Sequence, residues 1–253
     1  MRLNGKYVVL TGASSGIGRA LVPYLLKEGA FVLAVSRTIE DSMDITHARL
    51  WLKNIDIKDQ SGVDTLFEHA LECFGTIDVF IANAGFAYYE PLESMDYEKA
   101  QAIMATNAVS VFYSAKRMKD LNRDRPFNFM VTSSAIGRLP MPGYALYGAT
   151  KAAVDNFIRA AHLERERKDH TFQAVYPVAT DTKFFKKASA ETKPWPVQTP
   201  DKVARKMLKG LKKNKKEIHP FKIFKWANRL CPFCFKPYLL KQRASFFKHE
   251  KSD

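Results

Sequence analysis

A tyrosine and a lysine four residues apart, Tyr147 and Lys151, are well suited to acid–base chemistry. They lie in a run, residues 145–159, whose pattern predicts a helix, and residues i and i+4 share one helix face. A cation beside a phenol favours the phenolate, so we expect Lys151 to lower the pKa of Tyr147 from its ordinary value of about 10. Such a pair can exchange a proton with a carbonyl oxygen. The same spacing also occurs on solvated helix faces, so the rest of the chain must decide.

A glycine-rich turn follows the first apolar segment of the chain. Residues 6–10, KYVVL, are typical of a buried strand and run into the turn at residues 11–18, TGASSGIG. A helical pattern then extends to Lys27, Gly29 ends it, and residues 31–35 predict a second strand. A strand, a glycine turn, a helix and a strand within about 30 residues indicate a βαβ unit.

The glycines of such a unit can serve a dinucleotide. Gly12 permits the tight turn, Gly16 lets the backbone approach a pyrophosphate, and Gly18 lets the helix pack on the strand. Amides at the start of the helix then face the phosphates. An acidic residue after the second strand would bind the ribose of NAD, but this chain has Ser36 and Arg37 there. Because a guanidinium pairs with phosphate, the sequence predicts NADP(H) rather than NAD.

Strand and helix patterns alternate along the following residues. Strands are predicted at 50–57, 77–82, 128–132 and 172–176, and helices at 63–74, 97–119 and 144–168. This alternation predicts an α/β fold: one doubly wound domain with a parallel sheet and helices on both faces. We assign this domain to residues 1–200 and a C-terminal extension to residues 201–253.

Polar residues follow the predicted strands at the edge where doubly wound sheets bind ligands. The tripeptide Asn83-Ala84-Gly85 follows strand 77–82, and Ser133 and Ser134 follow strand 128–132. Asn107 lies among apolar residues inside the helix predicted at 97–119, where its amide needs a partner.

Together these motifs resemble the short-chain dehydrogenase/reductase family, over residues 5–185 and in the family's order and spacing. The matching residues are the turn at 11–18, Asp56, Asn83, Ala84, Gly85, Asn107, Ser134, Tyr147 and Lys151. The resemblance implies a Rossmann-type domain, an oxidoreductase that interconverts a carbonyl and an alcohol by hydride transfer, and a homodimer or homotetramer. No metal site is expected.

The resemblance also implies roles for single residues. Tyr147 would be the general acid in reduction and the base in oxidation, and Lys151 would lower its pKa and hold the nicotinamide ribose. Ser134 would bind the substrate oxygen, and Asn107 would keep a water that relays protons. Asp56 would contact the adenine and Asn83 would brace the central strands. The expected cofactor contacts are Gly12, Ser14, Ser15, Gly16, Ile17, Gly18, Arg37, Asp56, Ile57, Asn83, Ala84, Gly85, Tyr147, Lys151, Pro177, Val178, Thr180 and Thr182.

One segment departs from the family pattern. After strand 172–176 the family has Pro-Gly, whereas this chain has Pro177 and Val178. Because valine tolerates positive φ poorly, we expect a different local backbone there. Pro177 and Thr182 match the pattern, so the contacts to the nicotinamide amide are expected to remain.

Residues expected beside the nicotinamide are mainly apolar, which favours a lipid, a steroid or a long-chain ketone or aldehyde as the substrate. They are Ile136, Leu139, Met141, Tyr144, Phe184, Phe185 and Trp195. The same residues can instead simply pack a loop. Two other functions stay open: a non-catalytic nucleotide- or RNA-binding protein that uses the fold and its basic tail, and an epimerase or dehydratase.

The net charge of +14 is concentrated in the C-terminal extension. Residues 201–253 hold 16 of the 40 Lys and Arg residues but only 4 of the 26 Asp and Glu residues. Residues 201–213 predict a basic amphipathic helix, residues 221–230 place aromatic side chains beside lysines, and residues 238–247 predict another short helix. This pattern is typical of helices at an anionic membrane surface, although packing on the body is the alternative; nucleic acid is less favoured because the body is nearly neutral.

The three cysteines are too few for a disulfide framework and suit a reducing compartment. Cys231 and Cys234 form a lone CxxC pair, which does not complete a zinc site. No secretion signal or spanning segment is recognised. We therefore expect a cytoplasmic protein that can associate peripherally with a membrane.

Overall fold

The computed structural model describes residues 1–190, 194–221, 223 and 235–249, with the backbone alone at 245 and 247–249. Within these residues seven parallel strands form one sheet in the order β3-β2-β1-β4-β5-β6-β7. The strands are β1 Tyr7–Thr11, β2 Phe31–Ser36, β3 Leu50–Asn54, β4 Val79–Ala82, β5 Phe127–Thr132, β6 His170–Val175 and β7 Glu217–Ile218. Their order reverses between β1 and β4, and a ligand crevice is expected at the carboxyl ends of the strands there.

Helices cover both faces of the sheet, as predicted. They are α1 Gly16–Lys27, α2 Gln60–Phe74, α3 Tyr97–Met104, α4 Ser110–Leu121, α5 Ala145–Leu163, α6 Phe184–Lys187, α7 Pro200–Lys212 and α8 Lys236–His249. Alternate residues of a strand enter different cores: Val9 packs with α2, α4 and α5, whereas Val8 and Leu10 pack with α1 and α7. The α/β architecture is therefore confirmed.

The long helix predicted at 97–119 is interrupted. A π-helical turn, Ala105–Val109, separates α3 from α4, and Asn107 is buried within it. The Asn107 side chain bonds both the N–H and the C=O of Phe86, which draws this turn toward the edge of the sheet. Such turns are rare and often occur at functional sites. A helical hydrophobic pattern tolerates one inserted residue, so the interruption was not predicted.

The first part of the C-terminal extension is built into the body. The helix predicted at 201–213 exists as α7, and its side chains Val203, Met207 and Leu211 are buried against α1. Thr199 caps this helix by accepting a hydrogen bond from the Lys202 amide at 3.3 Å. The apolar side of α7 is therefore covered by protein and is not available to a membrane.

Two further features complete this region. The two-residue strand β7 pairs with β6, and its short length left no pattern to predict it. The short helix predicted at 238–247 is confirmed as α8. Most of the predicted piece 221–230, and both Cys231 and Cys234, lie outside the described residues. Across the part of the chain that is described, every helix is too short or too polar to span a bilayer.

Candidate active site

A cavity of about 560 Å³ opens at the carboxyl ends of the strands, across the point where their order reverses. It brings together all the residues predicted from the sequence except Gly18 and Asn107. Those in its lining are Gly12, Ser14, Ser15, Gly16, Ile17, Arg37, Asp56, Ile57, Asn83, Ala84, Gly85, Ser134, Tyr147, Lys151, Pro177, Val178, Thr180 and Thr182.

The glycine turn at one end of the cavity has no room for side chains. Gly12 has a φ of +66°, and a Cβ there would lie 2.7 Å from the Cα of Ala84. A Cβ on Gly18 would lie 2.2 Å from the carbonyl oxygen of Gly12, so Gly18 serves packing, as predicted, rather than lining the cavity. Both contacts are below any real Cβ separation, so the turn requires glycine at both positions.

The N-terminus of α1 faces the same end. Ser15 is its N-cap residue, and the Ser15 side chain makes no capping hydrogen bond. The amides of the first turn are therefore not used by this cap, and the helix dipole adds partial positive charge. This is the arrangement that binds phosphate groups in dinucleotide sites.

The end of β2 adds a serine pair and a cation. The Oγ atoms of Ser14 and Ser36 lie 2.8 Å apart and share a hydrogen bond. Arg37 is exposed, lines the cavity and has no hydrogen bond or ion pair among the described residues. Its guanidinium is therefore available to an anionic ligand.

Asn83 ties the central strands together, as predicted. Its Nδ2 donates to the carbonyl oxygens of Thr11 and Gly12, both at 3.2 Å, and its Oδ1 accepts from Thr132 Oγ1 at 3.0 Å. The amides of Asn83 and Ala84 both donate to Thr11 Oγ1 at 3.1 Å. One side chain thus links the ends of β1, β4 and β5 beneath the cavity.

Tyr147, Lys151 and Ser134 meet at the other end. Tyr147 and Lys151 lie one turn apart near the start of α5, and both are buried. Ser134 begins the short 3₁₀ turn Ala135–Gly137 after β5 and hydrogen-bonds the Tyr147 phenol. Ser133, the neighbouring candidate, instead donates to the carbonyl oxygen of Lys151 at 3.2 Å. The structure therefore selects Ser134 as the serine beside the tyrosine.

This geometry agrees with the match to known proteins. A family model described as short chain dehydrogenase matches residues 6–193. The chain belongs to the short-chain dehydrogenase family.

Relatives and solved structures support this family membership. The 3-oxoacyl-(acyl-carrier-protein) reductase FabG of Haemophilus influenzae is 32% identical over 186 residues, which cover 71% of this chain and 76% of FabG. An alcohol dehydrogenase from Thermococcus sibiricus, solved with 5-hydroxy-NADP, is 27% identical with a TM-score of 0.75, covering 85% of this chain and 96% of that one. A short-chain dehydrogenase/reductase from Burkholderia phymatum, solved with NAD, shares the fold at a TM-score of 0.81 and 18% identity, covering 91% and 94%.

The acid–base pair of this short-chain dehydrogenase differs from expectation in one respect. Burial raises the pKa of Tyr147 to about 12, and the hydrogen bond with Ser134 opposes this rise. Burial also lowers the pKa of Lys151 to about 8. The pKa of Tyr147 is thus raised overall, contrary to the expectation, while the effect of Lys151 on it stays a prediction. Lys151 Nζ donates to the carbonyl oxygen of Thr132 at 2.8 Å and lies 5.7 Å from the centre of the Tyr147 ring.

The Asn107 side chain makes three hydrogen bonds within the protein. Its Oδ1 accepts from the Phe86 amide at 3.0 Å, and its Nδ2 donates to Phe86 O at 2.8 Å and to Thr150 Oγ1 at 3.3 Å. The side chain is fully buried and does not line the cavity. It therefore connects the loop after β4 to Thr150 of α5, and its water-relay role stays a prediction.

The segment after β6 closes the cavity without strain. The carbonyl oxygen of Pro177 accepts from the Ala135 amide at 2.9 Å, which joins this segment to the Ser134 turn. Val178 is not among the described residues with positive φ, so valine fits this backbone. A Cβ on Gly16 would lie 3.0 Å from the methyl group of Thr182.

The Tyr147 end of the cavity is mainly apolar and extends further than predicted. All seven predicted residues line it: Ile136, Leu139, Met141, Tyr144, Phe184, Phe185 and Trp195. Sequence reasoning missed Phe86 and four residues of the C-terminal extension: Phe221, Ile223, Phe235 and Tyr238. Their aromatic content was visible, but only the packing of α8 beside the cavity reveals where they lie.

Proposed function

We propose that this short-chain dehydrogenase is an NADP(H)-dependent enzyme that interconverts a carbonyl and an alcohol by hydride transfer, with Tyr147 as general acid and base. The proposal rests on one observation: a single cavity whose two ends carry different functional groups. A glycine turn, a helix N-terminus and Arg37 lie at one end, and Ser134, Tyr147 and Lys151 lie at the other.

The residues present fit the cofactor. The turn has no room for a Cβ on Gly12, so its backbone can approach a ligand closely. The Ser15 cap leaves amides of α1 free, and Arg37 has no hydrogen bond or ion pair among the described residues. These groups would hold the pyrophosphate and the 2′-phosphate. Asp56 and Ile57 would border the adenine, and Val178, Thr180 and Thr182 the nicotinamide. When bound, the cofactor supplies or accepts the hydride.

The acid–base residues act on the substrate oxygen. Tyr147 and Ser134 present hydroxyl groups side by side, and both can donate to the carbonyl oxygen where negative charge develops. Tyr147 gives its proton to that oxygen in reduction and takes it back in oxidation. Lys151, held by Thr132, carries the nearest ammonium group and opposes the charge left on the phenolate.

A screen of NADPH oxidation over lipid, steroid and long-chain carbonyl compounds tests this proposal. Tyr147→Phe should abolish turnover while NADPH binding, followed by its fluorescence, stays near that of wild type. Substantial turnover by Tyr147→Phe would refute the role of Tyr147. RNA crosslinking without any NADPH oxidation would instead support the non-catalytic alternative.

The choice of NADP(H) rests on Arg37 and on the absence of an acidic residue at Ser36. Solved relatives contain either NADP-type or NAD cofactors, so the family alone does not decide. Removing a bidentate phosphate contact costs about 1.5–3 kcal/mol, which is roughly a tenfold to hundredfold loss of affinity. Arg37→Ala should therefore weaken NADPH binding by this factor and leave NADH binding nearly unchanged. Equal effects on both cofactors would argue against the assignment.

We also infer that the enzyme is cytoplasmic and can associate with an anionic membrane surface through residues 201–253, and that it assembles as a homodimer or homotetramer. Five exposed lysines lie at or just after the end of α7: Lys209, Lys212, Lys213, Lys215 and Lys216. Flotation of the full-length protein and of a truncated form with vesicles of anionic or neutral phospholipid tests the membrane association. Residues 1–221 are the right truncation, because Glu217 still contacts the body there. Equal flotation of both proteins would exclude residues 222–253 as the membrane site, and loss of the lysines at the end of α7 would then have to be tested.

A further inference from the structure

The hydroxyl group of Tyr144 is buried and has no hydrogen-bond partner among the residues that the structure describes. The residue is 2% exposed, yet it belongs to the lining of the cavity, close to Tyr147. Buried hydroxyl groups are normally paired, and an unpaired one is unfavourable. An unpaired donor beside the reacting centre is therefore a feature that needs a ligand.

The Tyr144 ring is held firmly in place. Its centroid lies 4.9 Å from that of Tyr89 and 6.3 Å from that of Tyr147. Tyr89 in turn meets Phe246 of α8 edge-on at 5.4 Å. A Cβ on Gly143 would lie 2.4 Å from the Tyr89 ring, so the chain before Tyr144 is packed closely as well. The hydroxyl is therefore a preorganised group rather than a mobile one.

Tyr144 is a neutral donor. Burial raises the pKa of its phenol, and the neighbouring phenols of Tyr89 and Tyr147 add to the rise. Leu139 and Phe185 also line this end of the cavity and offer no side-chain hydrogen-bond acceptor, and Met141 offers only the weak acceptor of its thioether. A ligand oxygen is thus the natural partner for the Tyr144 O–H.

We propose that the Tyr144 hydroxyl donates a hydrogen bond to a second oxygen of the substrate. The ring centres of Tyr144 and Tyr147 lie 6.3 Å apart, so a substrate whose reacting oxygen meets Tyr147 would carry the second oxygen within a few bonds of the reacting carbonyl. The preferred substrate class is then an apolar ketone with a nearby acceptor, such as a 3-oxo ester or thioester. This inference rests on the proposed reductase function.

The test compares two substrates and two proteins. The substrates are a long-chain 3-oxo ester and the ketone of equal length in which methylene groups replace the ester group. Wild type should favour the 3-oxo ester in kcat/KM by roughly tenfold, and Tyr144→Phe should bring the ratio close to one. Tyr97→Phe removes an exposed tyrosine hydroxyl and should leave the ratio as in wild type.

Stability provides a second readout. Tyr144→Phe removes an unpaired buried hydroxyl but keeps the ring, so its Tm without ligand should equal or exceed that of wild type. The 3-oxo ester should then raise the Tm of wild type more than that of the variant. A clear fall in Tm would show that Tyr144 is paired within the protein and would overturn the inference.

The outcomes separate the two claims. If wild type reduces both substrates and Tyr144→Phe leaves their ratio unchanged, the inference is wrong and the reductase function stands. If wild type reduces neither these nor any other carbonyl compound, the reductase function fails and the inference fails with it. A reduced ratio with unchanged NADPH affinity supports both.

Discussion

The guanidinium group of Arg138 forms two hydrogen bonds of 2.9 Å with the carboxylate of Asp155. Arg138 follows the turn that begins at Ser134, and Asp155 lies one helical turn beyond Lys151 on α5. The pair therefore ties the serine turn to the helix that carries the tyrosine and the lysine. Arg138 also donates to Glu217 of β7 at 2.7 Å.

Replacing Arg138 should destabilise the protein and disturb the site. Arg138→Met leaves the 8% exposed carboxylate of Asp155 without its main partner, which should lower the free energy of unfolding by about 3 kcal/mol. The loss of the tie should also lower kcat for carbonyl reduction, because Ser134 loses its fixed position. Denaturant unfolding and NADPH oxidation measure the two effects.

Arg159→Met is the matched control. Its guanidinium lies 4.0 Å from the same carboxylate, and its side chain is 63% exposed. Such a pair contributes little, so the change should stay within about 0.5 kcal/mol. Similar losses for both variants would contradict the positioning role of Arg138.

Gly12→Ala should lose dinucleotide binding. The left-handed φ of +66° costs alanine about 1–2 kcal/mol, and the new Cβ would in addition collide with the backbone of Ala84. We expect NADPH affinity to fall by about tenfold or more, together with a lower Tm. Gly75→Ala shares the left-handed φ, at +70°, but its Cβ would meet nothing within 4 Å. It should therefore show the loss of Tm alone; equal NADPH affinities for the two variants would contradict the role of the turn.

The pH dependence of reduction should follow Lys151. Burial lowers its pKa to about 8, so the ammonium group is charged below this pH and neutral above it. Tyr147, whose pKa is raised to about 12, stays protonated as a donor. The kcat for reduction should therefore fall as the pH rises through about 8. Lys151→Arg keeps the charge, so its remaining activity should lack this fall across roughly pH 6 to 10. An identical decline in both proteins would assign the transition to another group.

The helix α7 should behave as part of the core. Met207 is fully buried between α7 and the sheet, and Met207→Ala should lower the free energy of unfolding by about 2–5 kcal/mol. Lys209→Ala, on the exposed side of the same helix, should change it by less than about 0.5 kcal/mol. If Met207→Ala were as stable as Lys209→Ala, residues 200–212 would not belong to the folded core, as the predicted boundary at residue 200 implied.

Much of the site was predictable from local pattern. The βαβ unit is encoded within about 30 residues, and glycine at positions 12 and 18 signals backbone contacts that no other residue allows. The i, i+4 spacing placed Tyr147 and Lys151 on one helix face. The apolar residues at the Tyr147 end of the cavity were also recognised, because they follow strands that end at a common edge.

Properties that depend on distant contacts were not predictable. The pKa of Tyr147 is raised by burial against the opposing hydrogen bond with Ser134, and Lys151 Nζ is held by the carbonyl oxygen of Thr132. The π turn at Asn107 depends on Phe86, and the burial of α7 depends on α1. None of these partners is near in sequence.

The sequence by itself determined the fold class and the family and predicted the candidate site residues, because each depends on short-range spacing. Only the tertiary structure decided how the charges of that site are balanced and that the C-terminal extension supplies part of the cavity wall. It also decided that the Tyr144 hydroxyl has no partner among the described residues. The physical reason is that burial and hydrogen-bond pairing are set by residues brought together from distant parts of the chain.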